Sequence, residues 1–558
     1  MKTPGARLIA IALGAVLSLG TFLRLLEYLG NRTLWLDEAM LALGIGRRGY
    51  LGLLAPLDYD QVAAPLFLWA VKTVSLIGGM GELALRIVPL VAGVLLPWMV
   101  WRMTRSLGGP AAGLIAAVLA AISVPLIYHS AELKPYGLDA LASASVIVVA
   151  FRTREAPEHP NRWGHLLLAG MVGLLLSIPL PLVLAGTLAA LLADPRVRAV
   201  PSWPRRLLGL GVVWAGWFGV LHGLIYRVAD SRYMQQYWAG TFLDLRAPDG
   251  PLRLYGAGLA ILDPLPPIEG VIPFRWCLLL VVAGTILLVR RAGLPGTLQI
   301  GLPFLALILA SALGLYPIGA RLLVFMAPAL MAFVGVTLAE LLRMIRLGEP
   351  AAALVGALMI VAWGGPEALE NARHPQVREE GRRTAREVAR SALAEPVYVT
   401  PSGLPSWVYY TTDWARPDTA RLDFVFRAGT SSGPAAFNDL VVQAPVPGAA
   451  QPPAYAGADR VELLGRRSGV SYREPNGFEQ KTPDPTWAVA EVDRLVEVAR
   501  PHAWVYAGPW KDTEFPELRA EFARRGIVIV ETIEEANAMA VRIRASAPLP
   551  PRAHGAPR

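Results

Sequence analysis

Residues 8–29 read LIAIALGAVLSLGTFLRLLEYL, an apolar run whose only charged members are Arg24 and Glu27. At the rise of an α-helix such a run is about 33 Å long, enough for the ~30 Å of hydrocarbon in a bilayer. Lys2 and Arg7 precede it and no small-residue cleavage site follows. It therefore reads as a retained first span and not as a signal peptide.

Blocks of the same kind recur downstream. Spans are expected near 8–28, 85–104, 111–128, 137–151, 164–177, 180–193, 207–226, 276–290, 298–315, 322–342 and 351–365, about eleven transmembrane helices in all. Composition agrees, since 54% of the 558 residues are apolar and 17% charged, well away from the soluble average. The stretch 164–193 is broken by Ser177-Ile178-Pro179-Leu180-Pro181 and reads as a hairpin of two short spans, because both its flanks are basic. Residues 65–79 are also apolar, but a further crossing there would invert every later loop. They are expected to lie along the membrane surface.

The net charge of +9 does not point to nucleic acid, because the arginines sit in short loops between apolar blocks: Arg102 and Arg105, Arg152 to Arg162, Arg196 to Arg206, Arg290 and Arg291, Arg343 and Arg346. Loop arginines of this kind mark the cytoplasmic side. With the N-terminus inside and an odd number of spans, the C-terminal part is expected outside. The single cysteine, Cys277, rules out an internal disulfide. No Walker-type loop, metal-spaced His/Cys cluster or Gly-x-Ser-x-Gly elbow is present, so NTP hydrolysis, zinc chemistry and serine hydrolysis find no support.

Past residue 365 the pattern changes to alternating short strands and helices: a basic amphipathic helix over 378–393, strands at 397–399, 503–506, 527–531 and 539–543, and helices over 487–500 and 515–525. Such alternation predicts a soluble α/β domain over 366–545 with a parallel sheet. The Pro/Gly-rich stretch 412–485 reads as an irregular insertion and 546–558 as a disordered tail. The remainder, 1–365, is the transmembrane domain.

Charged residues gather in the loops expected on the outer face. Leu34-Trp35-Leu36-Asp37-Glu38-Ala39 follows the first span, with Asp58, Asp60, Gln61 and Pro65 behind it. Carboxylates near a bilayer are costly unless water, a cation or a partner meets them. The plain alternative is a helix start, where acidic residues favour the dipole. The second group is His129-Ser130-Ala131-Glu132-Leu133-Lys134-Pro135-Tyr136, and its plain alternative is a solvated pair of Glu132 and Lys134. The third is Tyr316-Pro317-Ile318-Gly319-Ala320-Arg321, and its plain alternative is an arginine that snorkels to the interface. Together these loops supply carboxylates and cations, an inventory that suits a phosphorylated lipid substrate.

The order of these pieces resembles the C-type, polyprenyl-phosphate-sugar-dependent glycosyltransferases, the superfamily of the protein O-mannosyltransferases and the lipid A aminoarabinose transferase. The resemblance is carried by Trp35-Leu36-Asp37-Glu38-Ala39, Gln61-Val62-Ala63-Ala64-Pro65-Leu66, Gly81 to Pro89, Ala131 to Tyr136, and Tyr316-Pro317 with Arg321, over about residues 1–345. It implies a multi-pass protein of the bacterial inner membrane, with a polyprenyl-phosphate-linked sugar as donor and a lipid, glycan or protein as acceptor. Asp37 takes the place of the family's catalytic aspartate, with Glu38 beside it. Glu132, Lys134, Tyr136, Arg321, Asp60, Gln61 and Lys72 become candidates for holding substrate or phosphate. Relatives often carry a basic residue before the proline equivalent to Pro65, where this chain has Ala64, so Lys72, Lys134 or Arg321 would take over the phosphate. Some members use a divalent cation, Mg or Mn, and others none, which leaves Asp37 and Glu132 as candidate ligands. A polytopic lipid or glycan transporter is the alternative reading.

Overall fold

The structure, a computed structural model, describes residues 4–57, 59, 61–227, 232–266, 274–391, 395, 397–400, 403–417, 461–462, 488–489, 492, 495–496, 501–508 and 511–545. In chain order the helices are α1 (Pro4–Leu29), α2 (Leu36–Arg47), α3 (Pro65–Gly78), α4 (Glu82–Leu85), α5 (Ile87–Ile122), α6 (Val124–Ser130), α7 (Tyr136–Glu155), α8 (Pro160–Leu176), α9 (Leu180–Ala193), α10 (Pro195–Arg198), α11 (Trp203–Leu224), α12 (Arg232–Tyr237), α13 (Gly250–Leu262), α14 (Phe274–Ala312), α15 (Ala327–Met344), α16 (Glu349–Arg373), α17 (Gly381–Ser391), α18 (Leu404–Thr411) and α19 (Lys511–Arg524). The chain divides into two compact units: Met1–Asn31, Tyr50–Ala55 and Val62–Gln376 form the first, and Arg32–Gly49, Pro56–Gln61 and Val377–Arg558 the second.

The first unit is a helical membrane bundle. Seven helices among the described residues are long and apolar enough to cross a bilayer. Their outward positions are apolar: Ile11, Leu208 and Leu358 are all more than 65% exposed, as expected of a surface that meets lipid. Helices α3 and α9, of 14 residues each, are about 21 Å long, short of the hydrocarbon thickness.

Helix α5 is the centre, packed by α1, α7, α15 and α16. Small residues allow that. Alanines 111, 112, 116, 117, 120 and 121 are fully buried, and a Cβ on Gly335 of α15 would lie 2.6 Å from the Ala112 carbonyl oxygen. Close backbone approach substitutes for the missing hydrophobic drive inside a membrane. At Gly109 the helix breaks, with φ 88 and ψ −178, a conformation only glycine adopts cheaply, and Pro110 follows. Gly293, with φ 69, divides α14 in the same way. The two breaks fall between pairs of expected spans, 85–104 and 111–128, then 276–290 and 298–315. Near the far end of α5, the buried Arg24 guanidinium donates to the Ala120 carbonyl at 2.7 Å and the Ala121 carbonyl at 3.0 Å. It thereby meets carbonyls that the helix end leaves without amide partners.

The second unit is built on a five-stranded sheet in the order β2-β1-β3-β5-β4. Its strands are β1 (Val397–Val399), β2 (Val461–Glu462), β3 (His502–Ala507), β4 (Val528–Glu535) and β5 (Ala538–Arg544). The expected parallel pairing holds for β1 with β2 and β3, whereas β5 runs antiparallel to both β3 and β4. The reason is local. Only Ala536 and Asn537 separate β4 from β5, Asn537 with φ 49, and a link that short closes a hairpin while a parallel pair needs a crossover of a dozen residues or more. Phe515, Leu518 and Phe522 of α19 recur at helical spacing and pack with Tyr398, Val505, Val541 and Ile543. In α17 the buried Thr384, Ala385 and Val388 oppose the exposed Arg383, Arg386 and Arg390. Helix α18 is buried and packs on α17 and on α2. The helix expected over 487–500 lies largely outside the described residues, as do most of the 412–485 insertion and all of the tail 546–558.

Candidate functional site

The segment before Asp37 is extended, with Trp35 as the N-cap of α2. Glu38, at the third helical position and fully buried, accepts the Trp35 N–H through Oε2 at 3.4 Å. This is one half of a capping box, the helix-start role weighed for these residues. Asp37, one position earlier, is half-buried. The neighbouring carboxylates therefore stand in different surroundings, one inside the unit and one at its margin.

Residues 33–36 are held one after another from the C-terminal stretch. The Thr33 hydroxyl donates to Glu380. The Leu34 N–H donates to the Tyr410 hydroxyl oxygen at 2.7 Å, the Arg378 guanidinium lies 4.7 Å over the Trp35 ring, and the Leu36 N–H donates to Glu379 Oε2 at 2.9 Å. Glu379 is 1% exposed. Burial pushes its carboxyl up to about 8, and the charges of Glu38 and Asp37 add to the rise, while the Leu36 N–H and the Ser406 hydroxyl work against it. Gln61 approaches the same helix, its Nε2 lying 3.5 Å from Met40 Sδ. Asp58 and Asp60 lie outside the described residues.

A second polar group sits in the membrane unit, where α6 turns into α7. His129 Nδ1 and Glu132 Oε2 are 2.6 Å apart, both buried, and the imidazole stands edge-on to Tyr128 and Tyr136. The Lys134 N–H donates to the Glu132 carbonyl at 2.7 Å, and Lys134 and Tyr136 are themselves buried. The loop after α13 comes close, for the Ser123 hydroxyl donates to the Pro264 carbonyl at 2.8 Å. Burial raises the adjoining Asp263 carboxyl, and His129 partly offsets this. Tyr316 donates to the Leu322 carbonyl at 2.9 Å and lies within electrostatic reach of Asp139 and Tyr136, which joins the second and third expected loops. Arg321 is half-buried, its guanidinium 5.5 Å over the Trp238 ring. Lys72, half-buried in α3, sits apart from these contacts in the sequence.

Among the described residues, no three His, Cys, Asp or Glu side chains are placed to share a metal ion. His129 and Glu132 meet in a direct contact between the two. Asp37 and Glu132 thus lack a converging donor set among these residues.

Residues 62–216 match the family model of dolichyl-phosphate-mannose-protein mannosyltransferases. ArnT from Cupriavidus metallidurans bound to undecaprenyl phosphate superposes with a TM-score of 0.54 at 14% identity, covering 95% of this chain and 98% of that one. The fold is that of the C-type membrane glycosyltransferases. The Archaeoglobus fulgidus oligosaccharyltransferase in complex with Zn and sulfate has a TM-score of 0.46 at 14% identity, covering 89% of this chain and 68% of its own. A search of the curated proteins found no match.

Within this C-type fold, sequence reasoning missed Glu379, Asp139 and Asp263. Asp139 had a legible signal: it is a carboxylate one turn into an expected span, and ionisable groups at such positions are costly. Asp263 follows an apolar run and precedes a proline, which gave a weaker one. Glu379 had none, because its partner is 343 residues away in the chain.

Proposed function

We propose that this membrane protein is a glycosyltransferase that moves a sugar from a polyprenyl-phosphate donor to an acceptor hydroxyl or amine on the extracytoplasmic face, with inversion at the anomeric carbon. The observation that carries the reading is the C-type fold over almost the whole chain, shared with a protein bound to undecaprenyl phosphate, combined with a half-buried Asp37 at the start of α2. Asp37 accepts the proton of the acceptor group as its oxygen or nitrogen bonds to the anomeric carbon, and the bond from that carbon to the phosphate oxygen breaks. The polyprenyl phosphate leaves with the electron pair. A phosphate leaving group needs no general acid when cations meet its charge, a role for Arg321 and Lys134. The Arg321 guanidinium over the Trp238 ring is a planar fork of the kind that pairs with phosphate oxygens.

The test is transfer by the purified protein in vesicles. Radiolabelled polyprenyl-phosphate-linked hexose and pentose are offered with a membrane lipid, glycan and protein extract, and label in the extract is counted. Transfer that depends on the protein is expected. Movement of the labelled lipid across the vesicle without any transfer would instead identify a transporter. Arg321→Lys keeps the charge but not the fork, and a weaker donor affinity is expected. Unaltered donor affinity in Arg321→Ala would return this arginine to a packing role.

A further inference from the structure

Glu379 is an expensive residue for the second unit to carry. It is buried, and among the described residues its Oε1 has no hydrogen-bond partner, although desolvating a carboxyl costs free energy that an apolar side chain would not. What it supplies is an acceptor. Leu36, whose N–H it takes at 2.9 Å, is the first residue of α2, and the first amides of a helix have no partner within the helix. Leu36 is also the residue immediately before Asp37. The three preceding residues, Thr33, Leu34 and Trp35, are tied in turn to Glu380, Tyr410 and Arg378.

We propose that Glu379 is a positioning residue for the catalytic carboxylate: its acceptor oxygen fixes the first turn of α2 and so the place from which Asp37 acts. The proposal rests on reading Asp37 as the general base. On this account the C-terminal domain takes part in the chemistry by setting one loop, beyond any contact it makes with an acceptor. The role calls for an oxygen and not for a charge. That fits a site whose burial, next to Asp37 and Glu38, keeps the carboxyl protonated near neutrality.

The full-length protein in vesicles tests this with the labelled donor and acceptor extract that support transfer in the assay above, comparing wild type with Glu379→Ala, Glu379→Gln, Tyr410→Phe and Asp37→Asn. A small displacement of a reacting group costs on the order of 100-fold, so Glu379→Ala is expected to lower kcat by about that factor while the donor KM stays within about twofold. Glu379→Gln, which keeps an acceptor oxygen, should restore kcat to within about threefold of wild type. Deuterium exchange over residues 33–47 should quicken in the alanine variant and not in the glutamine one. If Glu379→Ala does not fold, Tyr410→Phe carries the test through the loss of the Leu34 contact, with the same split between kcat and KM. Normal kcat and normal exchange in the alanine variant, or equal damage from alanine and glutamine, would overturn the proposal while Asp37→Asn remained inactive. An active Asp37→Asn would instead remove the reading on which it stands.

Discussion

Asp37 and Glu38 are adjacent in sequence and separate in environment, and this difference predicts how each responds to removal of its charge. A general base contributes roughly 100- to 10,000-fold, so Asp37→Asn should lower transfer by that order with donor binding preserved. Glu38→Gln keeps an oxygen for the Trp35 N–H and should cost transfer far less. Near-normal turnover in Asp37→Asn would reduce both carboxylates to a helix start. Glu379 makes a separate prediction about pH. Its ordinary value of 4.5 is raised to about 8 in the folded protein. Between those values the native state holds a proton that the unfolded chain has released, so the contribution of this residue to stability is full below about pH 4.5 and is lost as the pH climbs to about 8. Melting of wild type and Glu379→Gln at pH 5, 7 and 9 should show the variant gaining on wild type as the pH rises. Parallel curves would mean that the carboxyl is already ionised in the native state.

Among the elements, α5 shows how one residue divides a membrane helix. A side chain at Gly109 would meet a backbone at φ +88, and its Cβ would come within 3.2 to 3.3 Å of Arg291, Glu349 and Arg343. Residues forced into such backbone regions cost about 1–3 kcal/mol each. Gly109→Val is therefore expected to lower the unfolding free energy of the detergent-solubilised protein by an amount in that range, seen as a lower thermal midpoint by tryptophan fluorescence, whereas Gly216→Ala, in open space on α11, should leave the midpoint unchanged. An unshifted midpoint in Gly109→Val would mean that the break at 109 is not needed. The ion pairs of Arg343 with Glu340 and Glu349 lie at the same end of the bundle, in a loop expected to face the cytoplasm.

For the whole molecule, orientation follows from the arginine-rich loops and the span count, and it predicts that residues after 365 lie outside the cytoplasm. A reporter active only outside should work when fused after Gly365, and one active only inside should not; the reverse would place Asp37 on the wrong face for a lipid-linked donor. The membrane class and four of the five strands were legible in the sequence, because apolar length and alternating periodicity are local properties written in consecutive residues. The antiparallel β4–β5 hairpin was nearly legible in its two-residue turn. Tertiary structure alone decided the rest: that residues 32–49 and 56–61 form one unit with the C-terminal domain, that His129 engages Glu132, that Tyr316 comes within reach of Tyr136 and Asp139, and that Leu36 rests on Glu379. Each of these is fixed by burial and hydrogen bonding among side chains that the folded chain brings together. The Leu36 and Glu379 pair spans 343 positions, and no spacing rule along a sequence reaches that far.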